Sequence, residues 1–124
     1  MRDLFNEVLK QQQDARNIGF DWDNAEQVLQ KLYEETEELK VAMAQGCEKQ
    51  IIDEFGDVLL TIINLSRHLD INLEQSLCGS LTKFSKRYQQ MLKIAEQKNL
   101  VFTELSLLDK EDLWQQAKIE ISNN

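Results

Sequence analysis

The sequence predicts an all-α protein: an antiparallel, four-helix-bundle-like fold with a short fifth helix at its C-terminal end. Three observations predict it. The 124 residues include no proline, so nothing interrupts the i→i−4 hydrogen-bond ladder over long stretches. Only four glycines occur; Gly19, Gly46 and Gly79 fall at or near the ends of periodic segments, and Gly56 falls inside one. Apolar residues recur every three or four positions, the period of one helical face.

The first helix is expected over Arg2 to Asn17, with Leu4, Phe5, Val8 and Leu9 apolar and a glutamine-rich middle. A loop through Gly19, Phe20, Asp21 and Trp22 follows. Asp23 and Glu26, three apart, read as a capping box opening the second helix, with Trp22 as its hydrophobic staple. Val28, Leu29, Leu32, Leu39, Ala42 and Met43 give that helix an apolar stripe ending near Gln45-Gly46. The third helix is expected from about Glu48 to Leu69, on Ile51, Ile52, Phe55, Val58, Leu59, Ile62 and Ile63. His68, the one histidine, reads as a surface or helix-end residue. Asn72 then caps a fourth helix reaching about Gln97, with Leu73, Leu77, Leu81, Phe84, Tyr88, Met91 and Leu92 as its stripe. Asp109 with Asp112 opens a short fifth helix through Leu113, Trp114 and Ala117. No linker or repeat divides the chain, so a single domain over residues 1–124 is expected.

Composition narrows the function classes. The net charge is −8, which argues against binding a nucleic-acid polymer, whose backbone calls for a basic surface. No segment is apolar enough to span a membrane, and the charged N-terminus is unlike a signal peptide. Cys47 and Cys78 have neither CxxC spacing nor histidine neighbours, and read as free thiols of a cytoplasmic protein.

Chemistry concentrates in two acidic motifs, Glu34-Glu35-Thr36-Glu37-Glu38 and Glu54-Phe55-Gly56-Asp57. The short connection between helices two and three makes them antiparallel neighbours. With Gly46 as the turn, Glu38 and Glu54 are each 8 residues from it, and Glu35 and Asp57 each 11. The two pairs therefore lie at matching heights, and at 100° per residue all four trail to one edge of the facing stripes. Four converging carboxylates repel one another, and suit a hard divalent cation such as Mg²⁺, with Mn²⁺ as a substitute. Glu37 and Asp53 fall outside this edge and read as solvated acids. Glu35 intrudes on the apolar stripe, which is costly without a partner.

Basic and aromatic residues supply a second set. Lys83 and Arg87 are four apart on one face of the fourth helix, where they could hold phosphate oxygens or simply form a solvated, ion-paired face. Trp114 and Lys118 repeat that spacing; the tryptophan could stack on a base or anchor the last helix in the core. Lys31, one turn before Glu35, could reach the site or pair with Glu34 or Glu35.

Six ordered blocks resemble one family. These are Gly19-Phe20-Asp21-Trp22, Lys31 through Glu38, Asp53 through Asp57, Asn64 through Leu69, Lys83 through Arg87, and Leu113 through Lys118. Together they look like the MazG nucleoside triphosphate pyrophosphohydrolases, in particular the C-terminal half of the two-domain bacterial members. The resemblance covers nearly the whole chain. It implies an all-α MazG fold and Mg²⁺-dependent hydrolysis of the α–β phosphate bond of nucleoside triphosphates, giving monophosphate and pyrophosphate. It also implies a homodimer or larger homo-oligomer. By the motif match, Glu35, Glu38, Glu54 and Asp57 would be metal ligands, and Lys31, Lys83, Arg87, Trp114 and Lys118 would contact the nucleotide. Leu81 stands where members often carry asparagine, which removes a polar contact.

The expected chemistry is metal-assisted hydrolysis, with the cations offsetting charge on the triphosphate and activating water. Glu34 or Glu38 would orient or deprotonate that water. A narrower substrate, such as deoxyuridine triphosphate or a modified nucleotide, is a variant of this reading. A catalytically weak or inactive helical binding partner is the alternative from a different class. A di-iron bundle would want Glu-x-x-His pairs, which neither motif has.

Overall fold

The computed structural model describes residues 2–123 and, among these, contains helices and no strand. The all-α expectation is met, and the chain forms two compact units, one through Leu73 and one from Glu74. No helix among the described residues is long and apolar enough to cross a membrane.

The first unit holds α1 (Leu4–Asn17), α2 (Ala25–Gln45) and α3 (Glu48–His68). Asp3 caps α1, accepting from the Asn6 N–H at 3.2 Å, so this helix begins two residues later than expected. Its other end is closed by Gly19 at φ 86°, with the Phe20 N–H reaching the Ala15 carbonyl and the Gly19 N–H the Arg16 carbonyl, each at 2.9 Å. That is the 6→1 and 5→2 closure that needs a left-handed residue. Two other helix ends close in the same way, with Asp70 (φ 56°) after α3 and Asn99 (φ 58°) after the helix that follows it. Their short polar side chains tolerate this region better than most.

The cap of α2 differs from the expected one. Asn24, not Asp23, is the N-cap, and its Oδ1 accepts from the Gln27 N–H at 3.0 Å. Gln27 Oε1 in turn accepts from the Asp23 N–H at 2.8 Å. The reciprocal logic of a capping box holds, shifted by one residue, because Asn is as good a cap as Asp and Gln can replace Glu as its partner. Between α2 and α3 lie only Gly46 and Cys47. Gly46 sits at φ 71°, a conformation with a steric cost for residues bearing a Cβ, and the two long helices fold back as a hairpin. Val28 and Ala42 of α2 and Ile63 of α3 are buried in this unit. The Gln12 side-chain amide donates to the Leu60 carbonyl at 3.1 Å, tying α1 to α3.

The second unit holds α4 (Leu73–Gln97) from its second residue onward, a short 3₁₀ turn (Phe102–Glu104) and α5 (Leu107–Ser122). Gly79 lies inside α4 rather than near its end. The last helix starts earlier than Asp109 because Ser106 is its N-cap, accepting from the Asp109 N–H at 3.1 Å. It is also longer, at 16 residues. Met91, Ile94 and Ala95 of α4 pack with Leu113 and Ala117 of α5, and Leu92, Phe102, Leu105 and Trp114 surround them. Ala117 is fully buried in this cluster. Gln90 donates to Glu120 at 2.6 Å and Lys98 to Gln116 at 3.0 Å, both across this pair.

Candidate active site

The hairpin of α2 and α3 brings three of the expected acids together. Glu35, Glu38 and Glu54 each offer a carboxylate oxygen, and these lie within 4.8 Å of one another. Two come from successive turns of α2 and one from α3, so rigid helices rather than a loop hold them. Glu35 is only 6% exposed, as its intrusion into the apolar stripe predicts. Glu35 Oε2 and Glu54 Oε2 are buried without a hydrogen-bond donor. Orphaned buried carboxylate oxygens are costly and call for an explanation.

The local charges act on one another. Lys31 Nζ lies 2.9 Å from Glu35 Oε1 and 3.9 Å from Glu34 Oε2. The ammonium pKa is raised, first by its hydrogen bond to Glu35 and then by the Glu35 charge, against a smaller opposing effect of burial. The Glu38 carboxyl is also pushed above its ordinary value, chiefly by the negative charge of Glu35, then by desolvation and the charge of Glu54. A proton on Glu38 could be donated to either neighbour; as three carboxylates, the group has acceptors only.

Hard divalent cations take carboxylate oxygens. Three such donors in close reach, two with orphaned oxygens, fit one. Asp57 lies one helical turn beyond Glu54, is exposed, and stands outside this close group. Glu34, Glu37 and Asp53 are exposed. Beside the cluster, a recess of about 370 Å³ is lined by Glu37, Glu38, Val41, Ala42, Gln45, Gln50 and Glu54. Gln50 was not singled out from sequence, although its place four residues before Glu54 puts it on the same face.

Lys83, Arg87, Trp114 and Lys118 belong to the second unit. There the Trp114 ring lies 5.2 Å from that of Phe84, which also stacks on Tyr88 at 6.1 Å. The α4 segment carrying Lys83 and Arg87 is thus packed on the α5 segment carrying Trp114. Trp114 is half-buried against the core of this unit, which supports the anchoring reading.

His68 ends α3, as the sequence predicts, but its side chain is covered rather than at the surface. Its side chain is 5% exposed and its Nε2 lies 3.0 Å from Asp21 Oδ1, which also accepts from Arg67 at 2.6 Å. Arg67 further donates to Asn64 Oδ1. Together they lock the Gly19–Trp22 loop onto the end of α3. Local spacing contains no signal for this, because 46 residues separate Asp21 from Arg67.

Residues 23–92 match the model of the MazG nucleotide pyrophosphohydrolase domain. The chain is 37% identical over 107 residues to the nucleoside triphosphate pyrophosphohydrolase/pyrophosphatase MazG of Thermotoga maritima, covering 86% of this chain and 41% of that protein. It is 34% identical over 111 residues to the nucleoside triphosphate pyrophosphohydrolase of Escherichia coli K12, covering 88% of this chain and 42% of that one. The chain therefore spans about two fifths of the length of these relatives.

Proposed function

The chain belongs to the MazG nucleotide pyrophosphohydrolase domain family, and from that premise we propose that it is a divalent-cation-dependent nucleoside triphosphate pyrophosphohydrolase. The reaction adds water across the α–β anhydride. One P–O bond forms, the bridging P–O bond breaks, and nucleoside monophosphate and pyrophosphate leave. The observation that carries this reading is the close group of Glu35, Glu38 and Glu54 with two buried, donorless oxygens, within the family's motif pair.

Glu35, Glu38 and Glu54 would hold Mg²⁺ or Mn²⁺, with Asp57 as the further ligand. The bound cation supplies charge neutralisation on phosphoryl oxygens and lowers the pKa of water. Glu34 and Glu38 are the candidates for holding the attacking water and taking its proton. Lys83 and Arg87 would hold phosphate oxygens, Trp114 would stack on the base, and Lys118 and Lys31 would add positive charge toward the phosphates. Residues 1–124 acting as one cytoplasmic domain are part of the same proposal, to which the two free thiols conform.

A homodimer or larger homo-oligomer belongs to this reading. Ile52, Phe55, Leu59 and Ile62 form an apolar stripe along α3 that is exposed, Phe55 by 54%. A second copy would cover it.

Product analysis tests the activity. Incubation with Mg²⁺ and a panel of ribo-, deoxy- and modified triphosphates, resolved by phosphorus NMR, should yield monophosphate and pyrophosphate. Glu54→Gln should abolish both. Diphosphate and orthophosphate would mean that another bond is cut and would overturn the proposal.

A further inference from the structure

Lys31 sits one turn before Glu35 on α2, so the helix itself holds its ammonium 2.9 Å from Glu35 Oε1. The other oxygen of Glu35, Oε2, is buried and without a donor. The two oxygens of one carboxylate are thus divided: one is neutralised by a fixed positive charge and one is left as an acceptor. Among the ion pairs of the described residues, Lys31 is the one base that joins the close acid group.

From this division we infer that Lys31 tunes which form of the cation the site accepts, weakening its hold on the bare ion and favouring the ion delivered with a polyphosphate. The inference rests on the acid cluster being a cation site. The physical basis is a sign difference. A bare divalent cation brings positive charge toward the ammonium and is repelled in proportion to its double charge. A nucleoside triphosphate carrying the same cation has net negative charge and is attracted. One side chain therefore acts in opposite directions on two ligands that share one set of carboxylates. The consequence is that the site draws its cation mainly as part of the substrate complex, rather than holding it between turnovers. A residue that merely braced Glu35 would shift both affinities the same way.

The test is calorimetric titration at low ionic strength with Mn²⁺ alone, and then with Mn²⁺ and a nucleoside triphosphate whose α–β bridge is a non-hydrolysable methylene. Wild type, Lys31→Met, Lys31→Arg and Glu54→Gln are compared, with circular dichroism to confirm folding and Lys31→Gln as a second neutral variant. Lys31→Met should bind bare Mn²⁺ about three- to tenfold tighter and the Mn²⁺–analogue complex about tenfold more weakly, as loss of one charge from a partly screened site implies. Lys31→Arg should stay near wild type on both. Equal or weaker binding of bare Mn²⁺ by both neutral variants would overturn the inference while leaving the metal site standing. Wild type that binds Mn²⁺ saturably neither alone nor with the analogue, or shows binding that survives Glu54→Gln, would instead remove the metal site and the inference with it.

Discussion

Glu35 on α2 and Glu54 on α3 each bury one carboxylate oxygen with no hydrogen-bond donor, and each has an oxygen within 4.8 Å of the other's. Two like charges brought together out of water are destabilising by themselves. Lys31 offsets part of this on Glu35, and in the proposed reading a bound cation would offset the rest.

This relationship makes stability depend on cation. Mg²⁺ at a hundredfold excess over its Kd should stabilise the wild type by about 2.7 kcal/mol, on the order of 10 °C in Tm. Glu54→Gln should melt higher than the wild type in chelator, since a repulsion is relieved, and should gain little from Mg²⁺. Thermal melts with and without Mg²⁺ check both statements. An equal Mg²⁺ gain in the variant would place the cation elsewhere.

The raised pKa of Glu38 gives a pH dependence of definite sign. Above the ordinary value of 4.5, and up to the raised value, the folded protein holds more protons on Glu38 than the unfolded chain does. Cation-free stability should therefore fall as pH rises through that window. Cation affinity should run the other way, weakening as acidification protonates a ligand. Urea midpoints in chelator and Mn²⁺ titrations across pH 4.5–7 separate the two trends.

The Asp21 network should behave oppositely. The Arg67 hydrogen bond, assisted by His68 and the Trp22 N–H and opposed by burial, holds the Asp21 carboxyl well below its ordinary 3.8. Its stabilisation is present above pH 3.8 and is lost as pH falls through the depressed value. Asp21→Asn leaves Arg67, whose side chain is 10% exposed, without its main counter-charge, and should cost about 3 kcal/mol at neutral pH. Denaturant unfolding measures it; a loss under about 0.5 kcal/mol, the range of an ordinary surface substitution, would mean that the loop is not held by this pair.

In the second unit, binding and stability should separate by residue. Lys83→Ala and Arg87→Ala should each raise KM about 10- to 100-fold, the worth of a charge-assisted hydrogen bond to phosphate, with little change in Tm. Leu113→Ala, which empties a site only 5% exposed, should cost about 2–5 kcal/mol through the cavity it leaves. Trp114→Ala should do both, since its ring packs on Phe84. Steady-state kinetics beside thermal melts would sort them, and unchanged KM in Lys83→Ala and Arg87→Ala would remove these two from the substrate contacts.

What the sequence by itself determined is everything carried by short-range periodicity. The helical class, the hairpin at Gly46 and the placing of Glu35, Glu38 and Glu54 on facing edges all follow from the helix pitch and a two-residue connection. The spacing made Glu34 and Glu35 equal candidates to pair with Lys31, and the structure puts the ammonium nearer Glu35. Helix starts were less legible, because Asp23 and Asn24, or Ser106 and Asp109, are chemically competent caps a few residues apart, and the chosen one depends on where the preceding chain lies. Only the tertiary structure decided the rest. It drew Glu54 but not Asp57 into the close acid group, since equal height on two helices does not make equal reach. It also covered the side chain of His68, the last residue of α3, because the Asp21 that holds it comes from a loop 47 residues away. No local rule of spacing carries a contact of that range.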